Sequence, residues 1–256
     1  MGWYGTKKGE HLSEISKVVR PGEALLHVMK EAARADSPIM PAYEKKLPRI
    51  EAMFHDWRLS GVKQRALDMF LDSGWADRLF YHNVMHTVDV YLGAVRYGEL
   101  ERLPKNKYEI LAAAAIFHDL GFIRQYKYNE PFGARIAHEI GRRFEYTEDE
   151  LKLIGELIMD TTMPQQPRSH LGKILCDCDL DNLGRPDFAW KGLLVRLELA
   201  VHDNKIMSDL QWLEFQQKFL KSHRFWTKSA RVLRDEHKKK NLEQVSEMVE
   251  MMRKQA

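Results

Sequence analysis

Apolar residues recur at three- and four-residue spacing along most of this chain, and that period is the strongest constraint on its fold. Val62 to Leu71, Ile110 to Leu120 and Leu151 to Ile158 each repeat it, whereas β-branched residues alternating with polar ones are scarce. The period of 3.6 predicts helices and the lack of a period of two argues against strands, so the expected class is all-α. Pro21-Gly22, Ser37-Pro38 and Pro41 divide the first sixty residues into short pieces, and Pro164, Pro167 and Pro186 mark later loops. Three zones follow: an N-terminal helical extension over 1–60, a core over 61–205, and C-terminal helices over 206–256. In the last zone, Gln211 to Leu220 and Leu242 to Met252 carry Trp, Phe, Leu and Met at helical spacing. Such stripes pack on a parent domain more often than they build a site, and a homodimer surface is the other use expected of them.

Composition narrows the function classes. With 256 residues, 44% of them hydrophobic, the chain can fill a sizeable core. A formal net charge of only +3 carries no nucleic-acid-binding signal, and Lys238-Lys239-Lys240 reads as a solvated helix face. No stretch reaches the roughly 20 consecutive apolar residues of a membrane span, and no signal-peptide pattern opens the sequence, so a cytoplasmic protein is expected. Cys176 and Cys178 point about 200° apart on a helix and read as free buried thiols.

Three segments concentrate groups with chemistry. In Tyr81-His82-Asn83-Val84-Met85-His86-Thr87-Val88-Asp89-Val90, a helical reading places His82, His86 and Asp89 on one face. Two imidazoles and a carboxylate so arranged could supply a metal ligand, a proton donor and an orienting group; surface or satisfied core histidines are the plainer reading. The second segment, Leu111 to Phe122, is an apolar helix ending in His118-Asp119 before Gly121. A carboxylate at the end of a buried helix needs a partner, which a metal, an arginine or a helix N-terminus would each provide. In the third, Asp177, Asp179 and Asp181 alternate along a helix whose buried stripe is marked by Leu171, Leu175 and Cys178. Asp179 lies closest to that stripe, with Asp177 as the fallback inward ligand.

One His, a His-Asp dipeptide and a distant Asp, all on helices in that order, resemble the metal-binding pattern of HD-domain phosphohydrolases over roughly residues 75 to 190. Tyr-His-Asn-x-x-His-x-x-Asp-Val is also similar to the signature of cyclic-nucleotide phosphodiesterases in the same superfamily. Asp-x-Asp-Leu-Asp-Asn-Leu-Gly-Arg resembles the last motif of predicted HD-domain phosphohydrolases, whose second aspartate is usually the ligand. The resemblance implies a helical HD bundle with His86, His118, Asp119 and Asp179 as metal ligands and His82 as proton donor. It implies a divalent cation (Mn²⁺, Fe²⁺, Co²⁺, Ni²⁺, Zn²⁺ or Mg²⁺) with positions open to water or substrate. Asp119 would bridge metal and water, and Asp89 would orient an imidazole. The substrate would be a small phosphate ester or nucleotide, contacted by Asn129, Lys127 and Arg185.

The sequence also departs from its relatives. Asn129-Glu130-Pro131-Phe132-Gly133-Ala134 resembles the segment where HD-GYP phosphodiesterases carry a metal-binding histidine, and Asp160-Thr161 stands where their paired histidines would be. One metal per chain is therefore expected, the alternative being a weaker second ion held by Asp160 and waters. Surface roles are expected for His55, His138, His170, His202 and His223. Two other classes share the fold: di-iron oxygenases, against which Asn129 argues, and non-catalytic nucleotide sensors.

Overall fold

The computed structural model describes residues 57–74 and 78–255, so Pro21, Gly22, Ser37, Pro38, Pro41, His55 and most of the expected N-terminal extension lie outside the described residues. Among the described residues the architecture is all-α, as the spacing predicts. Nine helices follow one another: α1 Trp57–Asp72, α2 Val84–Leu100, α3 Lys105–Phe117, α4 Glu130–Arg143, α5 Glu148–Asp160, α6 His170–Asp179, α7 Phe188–His202, α8 Asp209–Ser222 and α9 Lys228–Gln255. Two 3₁₀ turns, Leu120–Ile123 and Asp181–Gly184, interrupt the series.

Helix α3 is the hub. Every residue from Tyr108 to Phe117 is buried, and α1, α2, α4, α5 and α6 all pack against it. Ala112 to Ala115 make this possible, because four methyl side chains let neighbours approach from several sides. Larger groups fill the space around them: Leu111, Phe117, Leu157, Ile158 and Leu175 are essentially inaccessible, each worth roughly 1.5–3 kcal/mol of burial. In α4 the buried positions are Gly133, Ile136, Ala137, Ile140 and Gly141, the i, i+3, i+4 pattern of a helix with one wet face.

Local signals set the helix ends. Asn83 starts α2, its Oδ1 accepting from the N–H of Met85 and His86. Thr147 with Glu150, and Ser208 with Gln211, form capping boxes at α5 and α8, and Ser169 caps α6. Helix α9 packs on α8, on α2 and on the second 3₁₀ turn. No described helix is long and apolar enough to cross a membrane.

Candidate metal centre

His118 and Asp119 stand where α3 gives way to the first 3₁₀ turn, so the buried hub helix delivers both side chains to one point. His86 reaches that point from the first turn of α2, and Asp179 from the last residue of α6. His86 Nε2 lies 3.3 Å from Asp119 Oδ2, 3.2 Å from Asp179 Oδ1 and 3.4 Å from His118 Nε2. His118 Nε2 lies 3.1 Å from Asp119 Oδ2 and 3.6 Å from Asp179 Oδ1. His86, His118 and Asp119 are buried, and their donor atoms all fall within 4.8 Å of one another.

This arrangement suits a cation better than it suits itself. His118 Nδ1 is 2.9 Å from Ala115 O; a carbonyl only accepts, so Nδ1 carries a hydrogen and Nε2 is the atom that would ligate a cation, on giving up its own proton. Asp119 Oδ2 is buried and accepts no well-aligned hydrogen bond. Donor atoms ~2.1 Å from a shared ion stand ~3.0–3.4 Å apart at ordinary coordination angles, close to the spacing observed. Burial disfavours the charged His118 ring, but the Asp119 and Asp179 carboxylates outweigh it and hold its pKa above the ordinary value. Burial likewise pushes both carboxyls up, and the imidazoles more than offset this, keeping Asp119 low and Asp179 at about 2. Carboxylates that remain ionised while buried are suited to a divalent ion.

The comparison with known families falls on the same residues. Residues 83–181 match the family model of the HD domain. That segment is an HD domain by this match. Domains of this superfamily are mostly metal-dependent phosphohydrolases, and the His86, His118 and Asp119 cluster could hold the metal. No match was found among curated proteins or among solved structures.

Around the centre of the HD domain, several expectations change. His82 is not on the helix with His86: Asn83 takes up the first free N–H groups of α2, so the helix begins after His82. His82 instead stacks on Phe122, with ring centroids 4.4 Å apart, and its Nδ1 pairs with Glu198 Oε1. Glu198 Oε2 accepts from the N–H of Tyr81 at 2.8 Å and of His82 at 3.1 Å. Burial lowers the His82 pKa, but the Glu198 carboxylate raises it further, to about 9. Asp89 orients no imidazole; Lys191 Nζ at 2.7 Å and Arg185 Nη1 at 3.5 Å claim it.

The three alternating aspartates part company. Asp177 is fully buried and accepts from Trp226 N, Thr227 N and Thr227 Oγ1 at 2.7–2.8 Å. Asp181, also buried, accepts from Arg234 at 2.6 and 2.8 Å and from Tyr97 Oη at 2.5 Å. Asp179 is the least buried of the three, against the stripe argument: Thr227 and Arg234 cover Asp177 and Asp181, while the Asp179 side chain stays 16% exposed. Its partners, not its depth, set it apart.

The remaining candidates divide. Asn129 is buried at the start of α4, and its Oδ1 has no hydrogen-bond partner. Lys127 is exposed and paired with Asp203, and Arg185 is paired with Asp187 and Asp89. Asp160 is bound to Arg168, which occupies the group considered for a second ion. His138 pairs with Glu148 at the surface. Cys176 and Cys178 are free and buried.

Three residues near the centre escaped the sequence reading. Glu198 carried a signal, a lone acid between Leu197 and Leu199 in an apolar run. Gln165 donates from Nε2 to Asp179 Oδ2 at 2.8 Å, and nothing local distinguishes it from Gln166. Glu130 opens α4, where burial first and then the Asp119 and Asp179 charges raise its pKa.

Proposed function

We propose that this protein is a divalent-metal phosphohydrolase acting on a small phosphate ester or nucleotide, with one metal held by His86, His118, Asp119 and Asp179. The observation that carries the reading is the convergence of two imidazole Nε2 atoms and two ionised carboxylates, one imidazole oriented by the bond from its Nδ1 to Ala115 O. When bound, the cation supplies Lewis acidity, activating a water as nucleophile and polarising a phosphoryl oxygen. The protein's own contribution lies around it. His82 donates a proton to the leaving oxygen, and Glu198 keeps that proton on the ring at neutral pH. A quarter of the His82 side chain faces solvent, 24%, which allows it to be reprotonated between turnovers. Asn129 offers the substrate a buried amide oxygen that has no hydrogen-bond partner and can accept from a hydroxyl or N–H. Lys127 and Arg185, each ion-paired here, are the cationic candidates for the substrate's phosphate.

The test is a panel of phosphoesters and nucleotides assayed with the metal-loaded protein and with Asp119→Ala. Turnover on at least one phosphate substrate, lost to background in Asp119→Ala, is expected. Full activity in that variant overturns the assignment.

A further inference from the structure

The two oxygens of Asp179 have different neighbours. Oδ1 faces the imidazoles of His86 and His118, while Oδ2 accepts the amide of Gln165. The Asp179 side chain is 16% exposed, so without that bond its outer oxygen would turn to water. Gln165 sits half-buried in the loop between α5 and α6, and the loop is fixed around it. Arg168 ties the loop to Asp160 through Nε at 3.0 Å and its own N–H at 3.3 Å. Thr161 Oγ1 donates to Ile158 O at 2.7 Å, and Ser169 Oγ accepts from Gly172 N at 3.0 Å. Pro164 and Pro167 restrict the backbone on both sides of Gln165.

We propose that Gln165 is a positioning residue for Asp179, holding Oδ2 so that Oδ1 stays aimed at the two imidazoles. The inference rests on the metal reading above. The residue type matters: a carboxamide orients the carboxylate with a neutral donor and leaves its charge intact. A lysine or arginine there would neutralise Asp179 and compete with a cation for it. Removing a group that orients a metal-ligating carboxylate commonly costs 10- to 100-fold in metal affinity.

The experiment uses Co²⁺ as probe, with affinity measured on metal-free protein by competition with a chromophoric chelator and the visible spectrum recorded alongside. Gln165→Met keeps side-chain length and removes the donor. We expect wild type to bind Co²⁺, His118→Ala to lose it, and Gln165→Met to bind it about 10- to 100-fold more weakly with an altered spectrum. The exposed neighbour Gln166→Met should match wild type, and the metal-free melting temperature of all the glutamine variants should be unchanged. Wild-type affinity and spectrum in Gln165→Met overturn the inference while leaving the metal reading standing, as does an equal loss in Gln166→Met. Failure of wild type to bind Co²⁺ in a His118-dependent way overturns both.

Discussion

Asp177, Asp179 and Asp181 occupy alternate positions on one short segment, yet each meets a different chemistry. One receives the backbone N–H groups ahead of α9, one faces two imidazoles, and one neutralises arginines. Alternation turns Asp179 away from the other two, since two residues advance a helix by about 200°, and Asp181 stands beyond the helix end, in the 3₁₀ turn. Which direction meets which partner is set by residues far away in sequence. The same holds for His82, whose partner Glu198 comes 116 positions later. Glu198→Gln keeps the shape of that contact but removes the charge that holds the His82 proton. We expect kcat to fall by about 10- to 100-fold with metal affinity within twofold of wild type, measured by steady-state kinetics and chelator competition. Unchanged kcat would show that Glu198 serves the fold alone.

At the level of elements, the centre depends on how closely α4 approaches the end of α3. A Cβ on Gly121 would stand 1.9 Å from Asn129 O, and one on Gly133 would stand 3.1 and 3.2 Å from the carbonyls of Phe117 and His118. Both contacts are with backbone, which cannot rotate out of the way. Gly121→Ala must therefore push the start of α4 off the His118–Asp119 corner. A loss of about 1–3 kcal/mol or more is expected in urea denaturation, together with weaker metal binding. Stability within ~0.5 kcal/mol of wild type would mean that the corner relaxes without α4 moving. The alanine run of α3 was legible as a buried helix, because its composition admits little else. The glycine contacts were not, since a glycine before a turn reads the same whether or not another helix leans on it.

For the molecule as a whole, the C-terminal helices are tied to the centre by polar contacts as well as by apolar ones. Arg234 of α9 and Arg96 of α2 meet at Asp181, two residues beyond Asp179, and Asn241 donates to Leu183 O and Arg185 O. His223 lies at the bend between α8 and α9, with both ring nitrogens buried and without a hydrogen-bond partner. Burial, and then the nearby Lys238 ammonium, lower its pKa to about 3. The unfolded chain binds a proton there below about pH 6.5 and the folded chain does not, so this contribution is complete above that pH and is lost as pH falls from 6.5 towards 3. The slope for one such group approaches ~1.4 kcal/mol per pH unit. Urea denaturation of chelator-treated protein at pH 7.5, 6.0 and 5.0 should show the decline in wild type and a shallower one in His223→Phe. Equal slopes would remove His223 as its source.

The sequence by itself determined the helical class and the burial of the segment ending in His118-Asp119, because each depends on neighbours within about one turn. It also pointed to His86, His118, Asp119 and Asp179, which the fold brings within a few ångströms of one another. Only the tertiary structure decided that Glu198 belongs to His82, Gln165 to Asp179, and Asp89 to Lys191 and Arg185. Helical periodicity fixes the direction in which a side chain leaves its own axis. It carries no information about the axis that arrives opposite, and a buried charge takes its role from what arrives there.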